Sequence, residues 1–473
     1  MKKIISCLIT LLAVWSQTLL AADLLEIYCE AVKCDPKFNG AYAELLANRE
    51  NLPINRSALL PRLDIHGDAE RQRVRIDGIN FTNFQSTGIF IPIADTNTFY
   101  NNHVFYSLKL TQPVFNYKNW SKVQQAKATV KQAEAAFCAS AQDLMVRVVR
   151  AYFDVMIADA NLFYTRENKK AVAEQLRQSK ETFRVGVIPI TNVYEAQARF
   201  DLVIAQEVTE RYELAARIEI LRTITNHLYC NLKGLSGFLP LVTPQPANIT
   251  DWVCISEKQN YQLLAAHFAT LAAQQNIKIQ AGDQLPVVNT FGQFIYSYDS
   301  NIQGSGVLLR QQIAQGGVEL DWAPIQGGGI IARTNQAQYQ YQQACIEQER
   351  IRRLVTSQAR NSFLGIYAYI AKVNADRALI SSSQLSLKAT MESYKVGTRT
   401  ILDVLNQQTQ LYNAQKTFIR DRYEYIYQTV LLKQASGTLS VGDIQQINCW
   451  LYSTIDIKKY DALLEGCLMP ETH

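Results

Sequence analysis

The chain has 473 residues, 48% hydrophobic and 19% charged, with 21 glycines and 12 prolines; this supports a large core and excludes a disordered or collagen-like chain. Lys and Arg number 47 against 42 Asp and Glu, a net charge of +5 that falls to about +3 once Lys2 and Lys3 are set aside. So weak a balance, with no basic run, gives no ground for nucleic-acid binding.

Lys2 and Lys3 precede an apolar run, Ile4 to Leu20, and Ala21-Ala22 stand before Asp23. This predicts a secretory signal peptide over 1–22, with an N-terminal membrane anchor as the alternative. No later stretch approaches the roughly 20 apolar residues of a helical span, and neither Cys29 nor Cys34 follows a small-residue lipobox. Eight cysteines lie beyond the leader, at 29, 34, 138, 230, 254, 345, 449 and 467. An even number in an oxidising compartment permits disulfides, Cys29 with Cys34 being one candidate pair, and free buried thiols are the alternative.

The sequence repeats itself. Phe183-Arg184-Val185-Gly186 returns as Tyr394-Lys395-Val396-Gly397, an offset of 211 that also carries Ile190 to Ile401, Val193 to Val404 and Gln197 to Gln408. Leu60-Pro61 matches Leu285-Pro286 and Gly67 matches Gly292 at 225, whereas Leu108 and Leu110 match Val318 and Leu320 at 210. The first half therefore carries about 15 extra residues between the two blocks, predicted as a loop. The predicted organisation is a first repeat over 23–233, a Gly- and Pro-containing linker over 234–257, a second repeat over 258–436 and a tail over 437–473.

Both blocks alternate with a period of two. Leu63, Ile65, Gly67 and Ala69 share one face, as do Val104, Tyr106, Leu108 and Leu110, then Val288, Thr290, Gly292, Phe294 and Tyr296, then Val318, Leu320 and Trp322. Strands of the 9 to 11 residues that cross a membrane are expected, although a soluble sheet with one wet face reads the same way. After each pair comes a long helical period: Val130, Ala133, Phe137, Ser140, Leu144, Val148, Ala151, Val155, Ala158 and Leu162, repeated 211 residues on from Tyr341 to Val373. No proline intervenes between Pro113 and Pro189 or between Pro324 and Pro470, so helices of some 60 residues, roughly 90 Å each, are allowed. Such lengths point to coiled-coil or helical-barrel packing. They break at Val185-Gly186-Val187-Ile188-Pro189 and Val396-Gly397-Thr398-Arg399-Thr400, the predicted tips of helical hairpins.

Two strands per half give four per chain, too few to close a barrel, and an edge left open in lipid strands unpaired backbone groups. Two copies would supply 8 strands and a filled interior; three would supply 12 and room for water. In its order of elements, and in Leu59-Leu60-Pro61, Thr111-Gln112-Pro113-Val114-Phe115 and Tyr394-Lys395-Val396-Gly397-Thr398-Arg399-Thr400-Ile401-Leu402-Asp403-Val404-Leu405, the chain resembles the TolC family of outer-membrane efflux and secretion channels over nearly its whole mature length. The resemblance implies an α+β membrane protein: a homotrimer whose 12-stranded outer-membrane barrel, embedded in outer-membrane lipid, is continued by a long periplasmic α-helical barrel. It implies localisation in the outer membrane of a Gram-negative bacterium, and export of small molecules or proteins in a tripartite efflux or type I secretion system. A periplasmic adaptor (membrane fusion) protein and an inner-membrane RND, ABC or MFS transporter are the implied partners. One departure is Pro324, one residue later than the family's usual position.

The resemblance also implies a gate at the tips, closed by polar links among a tyrosine, an arginine and acidic residues, with two aspartate rings at the narrowest point. This chain matches at Tyr394, Arg399 and Asp403, but Asn192 and Asn406 replace aspartates. An Arg399–Asn192 link would be weaker than one to a carboxylate. Val185, Gly186, Val396, Gly397 and Thr398 are the implied adaptor contacts.

No nucleophile elbow, phosphate loop, zincin motif or paired Cys ligands appear, and the histidines at 66, 103, 227, 267 and 473 are scattered. Asp299, Asn301 and Gly304 faintly resemble a calcium loop, but Arg310 stands where its glutamate should be. No catalytic residue, cofactor or metal site is expected. The readings of other classes are a secreted coiled-coil scaffold or adhesin without a pore, and an enzyme with an unrecognised site.

Overall fold

The computed structural model describes residues 22–83, 90–229, 231–235, 239–300 and 308–456. The predicted leader up to Ala21, Cys230, Cys467, and Asn301 and Gly304 of the faint calcium loop lie outside these.

The elements follow the duplication. Helices α1 (Leu24–Cys34) and α2 (Pro36–Ser57) lead into strands β1 (Arg62–Asn83) and β2 (Phe90–Phe115), then the 68-residue α3 (Tyr117–Arg184), α4 (Ile190–Thr225) and the short β3 (Asn231–Leu235). The second half repeats this with α5 (Ile249–Gln259), α6 (Tyr261–Ala281), β4 (Val287–Ser300), β5 (Leu308–Asp321), the 67-residue α7 (Gly329–Lys395), α8 (Ile401–Ala435), α9 (Val441–Asn448) and β6 (Leu451–Asp456). Capping is duplicated too. Asp23 and Asn248 cap α1 and α5 through their side chains. Twelve residues on in each half, Asp35 accepts from the Phe38 N–H at 2.9 Å and Asn260 from the Leu263 N–H at 3.1 Å, so each starts the next helix where the previous one ends. Arg147 forks onto Asp35 at 2.7 and 3.2 Å, while Asn260 donates to the Ala435 carbonyl at 2.9 Å.

The chain divides into two units. The first comprises 1–45, 133–266 and 348–473. Its core is built by Leu144, Val148, Tyr152, Phe153, Val155 and Met156 of α3 with Leu214, Ile218 and Leu221 of α4, Ile366 of α7, and Tyr423, Ile426 and Val430 of α8. Leu24, Ile27 and Ala31 of α1 and Ile444 of α9 complete it. The tail is tied in by β6, which pairs antiparallel with β3 from Asn231↔Asp456 to Leu235↔Leu451.

The second unit comprises 46–132 and 267–347. It holds an antiparallel four-stranded sheet in the order β1-β2-β4-β5, so β1 and β5 are its two edges. The register puts Leu63 opposite Leu110 and Ile65 opposite Leu108, then Leu108 opposite Phe294 and Tyr106 opposite Tyr296, then Val288 opposite Leu320. One face is therefore apolar across all four strands, and it is solvent-exposed in the single chain: Ile65 is 73% exposed and Val318 68%. The opposite face carries Asp64, His66, Asp68, Ser107, Lys109, Gln293 and Asp299.

Two expectations are corrected here. The strands exceed 9 to 11 residues, at 22 and 26 in the first half and 14 each in the second. The extra first-half residues are not an irregular loop. They lengthen the hairpin, whose ladder continues without a bulge from Arg62↔Thr111 to Asn83↔Phe90, well past Asn102↔Ser300 where β4 stops pairing with β2. Strand alternation persists through Arg71-Gln72-Arg73-Val74-Arg75, so nothing in that stretch ends the ladder. The six described cysteines, 29, 34, 138, 254, 345 and 449, are all free thiols.

Candidate functional site

Both hairpin tips lie in the first unit. At each, the long helix ends on a glycine in the left-handed region, Gly186 at φ 79° and Gly397 at φ 80°. Gly186 N–H donates to the Phe183 carbonyl at 2.8 Å and Val187 N–H to the Thr182 carbonyl at 3.1 Å; Gly397 and Thr398 make the matching bonds to Tyr394 and Ser393, both at 3.0 Å. This crossed pair satisfies the last helical carbonyls and reverses the chain. Val185 and Val396 sit at the turns, 72% and 75% exposed, and Gly186, Gly397 and Thr398 are exposed beside them.

The returning helices start differently. Thr400 caps α8: its hydroxyl accepts from the Asp403 N–H at 3.2 Å and donates to the Asp403 carboxylate at 2.9 Å, which also accepts from the Thr400 N–H at 3.0 Å. The resemblance marks Asp403 for the polar links and an aspartate ring of a gate; its carboxylate is also half of a capping box. Those two donors, with Arg399 nearby, hold Asp403 below the usual carboxylate range. The signal was in the sequence, Thr-x-x-Asp before an apolar run. In the first half the same positions hold Pro189 and Asn192. Pro189 makes no side-chain cap, and the turn closes through Asn192 N–H to the Pro189 carbonyl at 3.2 Å.

Tyr394 is half-buried, and burial raises its hydroxyl pKa. It packs with Phe200 against a small core of Val172 and Leu176 from α3, Val193, Ala196 and Val203 from α4, and Ile401 and Leu405 from α8. This core, which sequence reasoning missed, joins the two hairpins behind their tips; its signal was the apolar periodicity of the returning helices. Farther from the tips, Arg199 Nη2 donates to Thr409 Oγ1 at 2.6 Å, and Lys416 Nζ reaches Thr165 Oγ1 at 2.6 Å and Glu210 at 3.0 Å. Within hairpin one, Glu207 is only 7% exposed and meets Lys169 at 2.8 Å, Arg166 at 3.0 Å and Arg211 at 3.2 Å. Burial pushes its pKa up, but the bonds from Lys169 and Arg166 outweigh this and leave it below the ordinary range.

Among the described residues, the side chains of Arg399, Asn192 and Asn406 make no hydrogen bond within the single chain. Arg399 and Asn406 are exposed, and Asn406 lies three residues from Asp403 on the same side of α8. Chemically the tip offers the capped carboxylate of Asp403, the exposed guanidinium of Arg399 and the neutral amides of Asn192 and Asn406. Among the described residues no group of side chains has the makings of a metal site, and no helix is long and apolar enough to cross a membrane.

Residues 27–227 and 254–438 match the family described as "Outer membrane efflux protein". The chain is 30% identical to the outer membrane protein TolC of Vibrio cholerae over 453 residues, which is 95% of this chain and 99% of the relative. It is 27% identical to the alkaline protease secretion protein AprF of Pseudomonas aeruginosa, over 90% of this chain and 87% of that one. The Campylobacter jejuni CmeC outer membrane channel has the same fold, with a TM-score of 0.71 at 17% identity, covering 92% of this chain and 90% of that one. Repeat, sheet, hairpins and sequence agree: the chain belongs to the outer membrane efflux protein family, the TolC-type channels of the outer membrane.

Proposed function

We propose that three copies of this chain form an outer-membrane channel that exports small molecules, proteins or both from the periplasmic side to the exterior. The observation that carries this is the sheet. It has one apolar, exposed face and two unpaired edges, and lipid tolerates neither a polar wall nor an open edge. Three sheets joined edge to edge give 12 strands around an aqueous interior lined by the polar face. The helical hairpins of the three copies form the periplasmic conduit, and their tips close its inner end.

Tyr394, Arg399, Asp403, Asn406 and Asn192 are the gate residues in this reading. Each copy contributes Asp403, so the trimer has a single ring of three carboxylates at the tip, with Asn406 and Asn192 adding none. The exposed apolar turns at Val185-Gly186 and Val396-Gly397-Thr398 are the contact surface for a periplasmic adaptor, which links the channel to an RND, ABC or MFS transporter. The inner-membrane partner selects the cargo: membership of an efflux family and kinship with a protease secretion protein support both small-molecule and protein substrates. The channel has no catalytic step.

The test is reconstitution. Purified protein is expected to run as a heat-modifiable trimer in detergent and to give discrete conductance steps in planar lipid bilayers. A monomer that leaves the bilayer silent overturns the proposal in favour of a secreted scaffold.

A further inference from the structure

Beyond the apolar band, the lipid-side face of β1 changes character. Leu63, Ile65, Gly67 and Ala69 are followed on that same face by Arg71, Arg73 and Arg75, since side chains alternate and the ladder has no bulge there. Arg71 stands opposite Asn102, on the last row that β4 shares, and Arg73 and Arg75 stand on the ribbon beyond it. At the other edge of the sheet, Arg310 of β5 lies on this face too, paired across the ladder with Tyr298. Aromatic rings mark the boundary: the Arg71 guanidinium lies over Tyr100 at 4.9 Å, that of Arg310 over Tyr298 at 5.7 Å, and Tyr106 stacks on Tyr296 at 4.6 Å.

Three guanidinium groups at every second residue, about 6.6 Å apart along the strand, repel one another unless anions lie among them. The chain supplies one: Asp77 accepts from Arg75 Nε at 3.1 Å. Among the described residues Arg71, Arg73 and Arg310 meet no carboxylate. The helices α2, α3, α6 and α7 adjoin the opposite ends of the strands, so in an outer membrane with the helices in the periplasm these arginines stand at the outer leaflet.

We propose that Arg71, Arg73, Arg75 and Arg310 form a binding site for the phosphate groups of outer-leaflet glycolipid, the lipid A part of lipopolysaccharide. Planar guanidinium forks take phosphate oxygens in pairs and stack on tyrosine while doing so. The acyl chains of such a lipid lie against the apolar band directly below. Closing the barrel joins β1 of one copy to β5 of the next, so both arginine sets reach the same junction and one lipid spans it. This inference rests on the channel reading, because the apolar band and the junction both come from it.

The experiment uses the full-length trimer in detergent, with diphosphoryl lipid A as the probe and native mass spectrometry or fluorescence displacement as the readout. Wild type is expected to hold lipid A, and R71Q/R73Q/R75Q to bind it roughly tenfold or more weakly; R310Q alone lowers affinity less. Lipid A lacking its phosphates is expected to bind the wild type as poorly as intact lipid A binds the triple variant, and millimolar inorganic phosphate not to displace the lipid. Equal affinity in the triple variant, equal affinity for the dephosphorylated lipid, or displacement by free phosphate would each overturn the site. If the triple variant fails to assemble, the three single Arg→Gln variants are read instead, and a loss in none of them has the same force. Bilayer conductance is recorded in parallel. A conducting wild type that does not retain lipid A defeats this site alone, whereas a silent wild type defeats the channel reading itself.

Discussion

Asp403 carries two demands on one carboxylate. It accepts the Thr400 N–H and hydroxyl to start α8, and in the proposed trimer it forms the single acidic ring. Because its pKa is depressed, the cap is intact above the ordinary carboxylate value of 3.8 and is lost only as pH falls below it, through the lowered value. Block of the channel by a multivalent cation is therefore expected to be the same at pH 7 and pH 5, and to vanish in Asp403→Ala; a conductance titration checks both. Block is also expected to tighten in Asn406→Asp, which restores a second ring. Removing the cap by Thr400→Ala should cost about 1 kcal/mol, read as faster hydrogen exchange at the start of α8. At Gly397 and Gly186 there is space for a side chain but not the right backbone: φ near 80° disfavours any Cβ. Gly397→Val should loosen the tip by about 1–2 kcal/mol and leave the sheet unchanged, seen as raised protease sensitivity confined to the turn.

Among the elements, hairpin one depends on Glu207, a nearly buried carboxylate with three cations around it. Glu207→Gln removes the charge but not the volume, and its partners can turn toward water, so about 1–2 kcal/mol of stability is expected to be lost, below the range for a fully buried pair. Thermal unfolding of the purified protein measures it. In the sheet, the two faces should respond oppositely to charge. Leu108→Arg places a cation on the lipid side at about 2–4 kcal/mol and should cut the yield of heat-modifiable trimer in the outer-membrane fraction. Lys109→Gln, one residue along and on the other face, should leave that yield unchanged. The alternation that tells these faces apart was legible in Leu63 to Ala69 and Val104 to Leu110. The length of the first hairpin was not, because period two says where side chains point and not where pairing stops; only the register through Asn83↔Phe90 sets that. Likewise the 211-residue offset located both tips, yet Tyr394's place in an apolar core between the hairpins depends on residues more than 200 positions apart in the chain, from Val172 to Leu405.

For the whole molecule, assembly and conduction stand together in the proposed trimer: a sheet with two free edges cannot insert as a monomer, so dissociating conditions should abolish trimer and conductance at once. The sequence by itself determined the duplication, the alternating strands, the long uninterrupted helices and the glycine tips, because each is a local pattern of side-chain size, polarity or backbone freedom repeated at a fixed spacing. The tertiary structure decided the order of strands in the sheet, which edges stay open, and the pairing of β3 with β6 that ties the tail back. These depend on which distant segments meet, and the energy of such meetings is written in pairs of residues that no local period records.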